Sequence, residues 1–149
     1  MEPTIRQPFM HDIVIPNRRS AAQRVVDWRS KVLVLFGTRP EVIKLAPVIH
    51  ELRQRFFQTV VVSSSQHKQL LAPFLSSLDV DVDFDLRVMR NNQSPNEVSA
   101  RILARLDKIL AAEKPDLILV QGDTATTLAG AIAGFNRRIP VGHVEAGLD

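Results

Sequence analysis

The sequence predicts an α/β fold, a Rossmann-like parallel sheet with helices on both faces. Three observations carry this. Strand-length apolar runs alternate with amphipathic helical runs through residues 31–149, the pattern of βαβ units. The runs KVLVLF, TVVVSS and DLILVQ are apolar on consecutive positions, as strands are when both sheet faces are covered. Polar turns follow these runs directly, where open parallel sheets bind their ligands.

Taken in order, the elements have local causes. KVLVLF is the first strand, and Pro40 suits the first turn of the helix behind it, where a missing N–H costs nothing. Val42, Ile43, Leu45, Ala46, Ile49 and Leu52 form that helix's apolar face, and Pro47 within it should bend it. TVVVSS is the second strand, HKQLLAPFLSSL the next helix, and VDVDFDLRVM an exposed third strand by its alternation. Ser94 and Glu97 have the spacing of a capping box, with Pro95 as the first helical residue. Val98, Ile102, Leu103, Leu106, Ile109 and Leu110 share the apolar face of this helix, and Lys114-Pro115 stop it. DLILVQ is the fourth strand, GDTATTLAGAIAGFNRR a turn and an alanine-rich helix, and IPVGHVEAG the fifth strand, running to the end.

Composition narrows the function. At 149 residues, 45% hydrophobic and 23% charged, the chain suits one ordinary domain with a real core. No apolar run approaches the roughly 20 residues of a membrane span, and residues 1–30 lack the apolar core of a secretory signal. Cysteine is absent, which excludes disulfides, thiolate metal sites and cysteine nucleophiles and fits a cytoplasmic setting. A net charge of +3, spread along the chain, is not the basic stripe of a nucleic-acid binder. Residues 1–30 read as a loosely ordered basic extension carrying Arg6, Arg18, Arg19, Arg24 and Arg29, with one short candidate helix, SAAQRVVDW.

Four turns carry candidate chemistry. Gly37-Thr38-Arg39-Pro40-Glu41 combines a tight turn, a helix start with N–H groups for an anion, and an arginine fork; Lys44 lies one turn further. It is not the dinucleotide fingerprint, so no NAD is expected. Ser63-Ser64-Ser65-Gln66-His67 offers hydrogen-bonding groups, although a serine cap with surface residues explains it as well. Gln121-Gly122-Asp123-Thr124 places a carboxylate after a buried strand, as acid or base at a ligand or as a helix cap. In Gly142-His143-Val144-Glu145, a buried Glu145 would suit proton transfer. His143 shares its face of the strand, where a structural role is the plainer reading. Two carboxylates beside an arginine and a lysine suit proton transfer at a carbon next to an anionic leaving group.

FGTRPEVIKLAPVI, SQH, DLILVQGDTATTLAGAIAGF and RIPVGHVEAGL, in this order, resemble the non-hydrolysing UDP-N-acetylglucosamine 2-epimerases from Lys31 to Leu148. The resemblance implies the first half of a GT-B-type fold, in which two Rossmann-like domains flank a cleft. It implies interconversion of UDP-GlcNAc and UDP-ManNAc by elimination of UDP to a 2-acetamidoglucal and re-addition with C2 inverted, in polysaccharide biosynthesis, with no cofactor and no metal. Asp123 and Glu145 match the family's catalytic carboxylates. Arg39 and Lys44 match its basic pair at the substrate, and His143 is carried with them as substrate-binding. Gln66, His67 and Gln69 match a segment that holds a second UDP-GlcNAc as activator in some bacterial members. The Arg-Gln pair of that site reads Asn92-Gln93 here, and Asp149 stands where the family has arginine.

Set against this family, the chain reads as a truncated amino-terminal half, with the second, UDP-gripping domain absent. Weak or no UDP-sugar binding and no efficient turnover are then expected of it alone. Homodimers, or association with a complementary half, are the partner expectations. Two alternatives stand beside this reading: a stand-alone half that binds a complementary domain or regulates an intact epimerase, and another GT-B-like glycosyltransferase domain.

Overall fold

The computed structural model describes residues 13–14, 30–64 and 68–145. Its elements are β1 (Ile13–Val14), β2 (Lys31–Phe36), α1 (Arg39–Gln54), β3 (Gln58–Ser63), α2 (Lys68–Ser77), β4 (Phe84–Asp85), α3 (Pro95–Glu113), β5 (Leu117–Gln121), α4 (Ala125–Asn136) and β6 (Val141–Val144). They form one sheet of order β1-β6-β5-β2-β3-β4. Strands β2 to β6 are parallel, and β1 joins β6 antiparallel, pairing Ile13 with Val144 and Val14 with His143. The extension ahead of Lys31 thus includes an edge strand that sequence reading did not assign. The candidate helix over residues 20–28 lies outside the described residues.

Alternation along the strands builds two cores. Leu33, Leu35, Val60, Val62, Ile118 and Val120 pack with α3 and α4 through Val98, Ile102, Leu106, Leu110, Ala129 and Ala133. Their neighbours Val32, Val34, Phe36, Val61 and Leu119 pack on the other face with α1 through Val42, Leu45, Ala46 and Ile49, and with Leu71 of α2. Period-two alternation therefore buries both faces, which is why the strands are apolar at every position.

The third strand is shorter than its sequence pattern suggests. Only Phe84–Asp85 pair with β3. Just before them the Asp83 carboxylate accepts the Val61 N–H at 2.7 Å, and just after them Arg87 takes a left-handed φ of 46°. A short acidic side chain competing for the ladder's donors ends the strand early. The fifth strand also stops short: β6 ends at Val144, and Glu145 turns left-handed at φ 62°. Helix α1 continues through Pro47 to Gln54.

The capping box on α3 is present. Ser94 Oγ accepts from the Glu97 N–H, and the Glu97 carboxylate accepts from the Ser94 N–H at 2.7 Å. That backbone bond, then the Ser94 hydroxyl and nearby Arg101, hold the Glu97 carboxyl below its ordinary range. A carboxyl lowered on folding stabilises above its unfolded value and ceases to as pH falls through its folded one. The urea midpoint of the parent should therefore exceed that of Glu97→Gln at neutral pH, and the two should converge in acid. A difference independent of pH would contradict this account of the cap.

Helix α4 is apolar on its outer face as well, where Leu128, Ile132 and Phe135 are exposed. An open groove of about 740 Å³ lies at the amino end of β6, lined by Phe135, Arg138, Pro140 and Val141 among others. It is at the opposite end of the sheet from the turns described next.

Candidate functional site

Strand order places the site. From β2 the chain proceeds outward through β3 to β4, then returns on the other side through β5 to β6. Neighbours β2 and β5 are therefore followed by connections to opposite faces of the sheet. A crevice opens beyond their carboxyl ends, the switch point at which such sheets bind ligands. The turns 37–38 and 122–124 form its two lips.

Glu41 joins them. Its side chain is buried at 2% exposure. One carboxylate oxygen accepts the Gly37 and Thr38 N–H groups at 2.6 and 3.2 Å. The other accepts the Thr124 hydroxyl at 2.6 Å. Two amides that sequence reading left free for an external anion are thus taken by an internal carboxylate. Thr38-x-x-Glu41 has capping-box spacing, a signal that could have found the first contact but not the second.

The charged groups lie outside this clamp. Arg39 is exposed and sets its guanidinium carbon 4.9 Å from the centre of the Phe74 ring, a cation–π stack that orients the fork. Lys44, one turn into α1, pairs its ammonium with the Glu145 carboxylate. Gln121 at the end of β5 donates to the same Glu145 oxygen at 3.1 Å. Sequence reading expected burial of Glu145; instead its side chain is 29% exposed and ion-paired. The reason is the left-handed turn at Glu145, which takes it out of the strand. A non-glycine residue in this region costs about 1–3 kcal/mol, strain that concentrates at functional sites. Gln121 is a site residue that sequence reading did not single out, and its signal was a polar residue closing an apolar strand.

Asp123 is exposed on the second lip. It is not the cap of α4: that position is Thr124, whose hydroxyl accepts the Thr127 N–H. His143 lies 2.6 Å from the Gly122 carbonyl through Nε2. A carbonyl only accepts, so Nε2 carries the proton, and the ring braces the turn that bears Asp123. Nδ1 is buried with no partner among the described residues. A further tie links Ser64 to Thr126, whose buried hydroxyls are 2.8 Å apart.

Of the activator candidates, only Gln93 has a described side chain. Gln66 and His67 lie outside the described residues, and Gln69 is in α2. Gln93 spends its amide on its own loop, accepting from Arg90 N–H and donating to the Val88 carbonyl at 3.0 Å. Among the described residues there is no cluster of three or more His, Cys, Asp or Glu that could hold a metal, and no helix long and apolar enough to cross a membrane.

The sequence and fold of this chain have counterparts in known proteins. Residues 50–149 match the family model for UDP-N-acetylglucosamine 2-epimerase. The UDP-N-acetylglucosamine 2-epimerase of Escherichia coli (strain K12) is 50% identical over 119 residues, 79% of this chain and 32% of its own length. The Bacillus subtilis (strain 168) enzyme is 45% identical over the same span. Among solved structures, the Neisseria meningitidis UDP-GlcNAc 2-epimerase bound to UDP-GlcNAc superposes with a TM-score of 0.76 at 47% identity, covering 79% of this chain and 32% of that one. The Methanocaldococcus jannaschii enzyme in complex with UDP-GlcNAc and UDP gives 0.75 at 35% identity, covering 80% and 33%. The chain thus spans about a third of the length of the curated relatives it matches. Since the family model covers more than half of the chain and the folds agree, the chain belongs to the UDP-N-acetylglucosamine 2-epimerase family.

Proposed function

We propose that this chain supplies one wall of the sugar-nucleotide site of a UDP-GlcNAc 2-epimerase, an enzyme that interconverts UDP-GlcNAc and UDP-ManNAc. The observation that supports it most is the convergence of Lys44, Gln121 and Glu145 at the switch point, with Arg39 and Asp123 on the two turns that Glu41 ties together. In the reaction a base takes the proton from C2 while the C1–oxygen bond to UDP breaks. UDP then re-adds to the resulting 2-acetamidoglucal as C2 is protonated on the opposite face. Asp123 and Glu145 are the carboxylates for these two proton transfers. Lys44 and Gln121 orient Glu145, and Arg39 meets the charge of the departing diphosphate.

Remote binding energy from the diphosphate and uracil drives such chemistry. One wall is expected to bind the sugar nucleotide weakly and to turn it over slowly. Titrating isotope-labelled chain with millimolar UDP-GlcNAc should shift the amide resonances of Arg39, Lys44, Asp123 and Glu145. Shifts confined to the groove around Phe135 and Val141 would sink the reading.

A further inference from the structure

We propose that Glu41 is a positioning residue for this reaction, the carboxylate that fixes the spacing between the turn carrying Arg39 and the turn carrying Asp123. The proposal rests on the functional reading above and adds a residue and a role to it. Each group that donates to Glu41 is at, or next to, the chain neighbour of a charged site residue. Thr38 directly precedes Arg39, and Thr124 directly follows Asp123.

A helix cap alone does not explain the geometry. Capping accounts for the bonds from Gly37 and Thr38, both at the start of α1. It does not account for a side chain buried at 2% exposure, or for a 2.6 Å bond to a hydroxyl 83 residues away, at the cap of another helix. The second turn also packs against this side chain. Gly122 has φ +85°, and a Cβ built there would lie 3.5 Å from Glu41 Cγ. Both carboxylate oxygens are engaged, one on each lip. A shift of the α1 turn would therefore have to break a buried bond to the α4 turn, and the reverse. Placement errors of even an ångström are costly in catalysis, so a link of this kind matters to rate and affinity as well as to folding.

Two substitutions separate this role from a structural one. Glu41→Ala removes the whole link and is at risk of failing to fold. Thr124→Val removes only the hydroxyl, and Thr124→Ser restores it. In the labelled chain, Thr124→Val should speed amide exchange at Gly37 and Thr38 by about tenfold, as expected for loosening one buried hydrogen bond, while α3 and the central strands keep their rates. Loss of the α4 cap by itself would speed exchange at Thr127 and leave Gly37 and Thr38 unchanged. Thr124→Ser should return both amides to within about twofold of the parent. UDP-GlcNAc affinity, read by the same titration, should weaken about tenfold in Thr124→Val and recover in Thr124→Ser. Unchanged exchange at Gly37 and Thr38, or faster exchange with unchanged affinity, overturns the proposal. No response to UDP-GlcNAc even when the chain is joined to the second domain of a relative overturns the functional reading and the role given to Glu41 with it, while the exchange rates still decide whether the two turns are linked.

Discussion

In a hybrid that joins residues 31–148 of this chain to the remaining length of the Escherichia coli relative, Glu145→Gln should lower the turnover of UDP-GlcNAc by about 100- to 10,000-fold, the range for removing a general acid or base. Glutamine keeps the size of the side chain and can still pair with Gln121, so affinity should change little. What it cannot do is accept the C2 proton. Incorporation of solvent deuterium at C2 reads this step directly. A variant that exchanges C2 hydrogen at the parental rate would show that Glu145 is not a proton-transfer group. The ion pair with Lys44 sharpens the test. If Lys44 serves to orient Glu145, adding Lys44→Ala to Glu145→Gln should cost little more, because groups that act as a unit are not additive. A second full loss would mean that Lys44 meets the substrate independently.

Gly134→Ala should destabilise the domain by up to about 2 kcal/mol, although alanine is the better helix former. The gain in propensity is about 1 kcal/mol, while overpacking a close-packed core costs about 1–3 kcal/mol. Space decides the sign. A Cβ at Gly134 would lie 2.3 Å from Val141 Cγ2 and 3.2 Å from both Ile118 Cδ1 and the Ile139 carbonyl oxygen. Val141 is β-branched and held in a strand, which restricts its χ1, so it can give way only at a cost. At Gly130 the nearest atoms are side-chain methyls of Leu35 and Val120 at 2.8 and 2.9 Å, so a smaller loss is expected there. Urea unfolding of the 149-residue chain measures both. A Gly134→Ala variant as stable as the parent would mean that α4 can move off the sheet freely.

These close approaches show where the sequence was legible. Period and capping signals are local, and they named the four helices, the strands of the core and the Ser94 cap within a few residues, while β1 went unassigned and the third strand was drawn too long. The rule that ligands gather at carboxyl ends then pointed to the edge of the sheet where the Glu41 clamp and the Lys44–Glu145 pair lie. Strand order was not legible, and it brings the first and third turns together as two lips. Nor were the contacts that depend on it. Lys44 and Glu145 are 101 residues apart, Glu41 and Thr124 are 83 apart, and neither residue's local pattern names its partner. Capping preference suggested Asp123 as the cap of α4, but the helix begins one residue later and Thr124 takes the position. The shortened third strand has the same kind of cause: alternation predicts which side chains face the core, while Asp83 reaching the Val61 N–H decides where pairing stops.

The most direct measurement of the central claim is C2 deuterium exchange by the unsubstituted hybrid, incubated with UDP-GlcNAc in deuterated solvent. If residues 31–145 build an epimerase wall, the hybrid should incorporate deuterium at C2 and produce UDP-ManNAc. A folded hybrid that binds UDP-GlcNAc and incorporates none would contradict the claim.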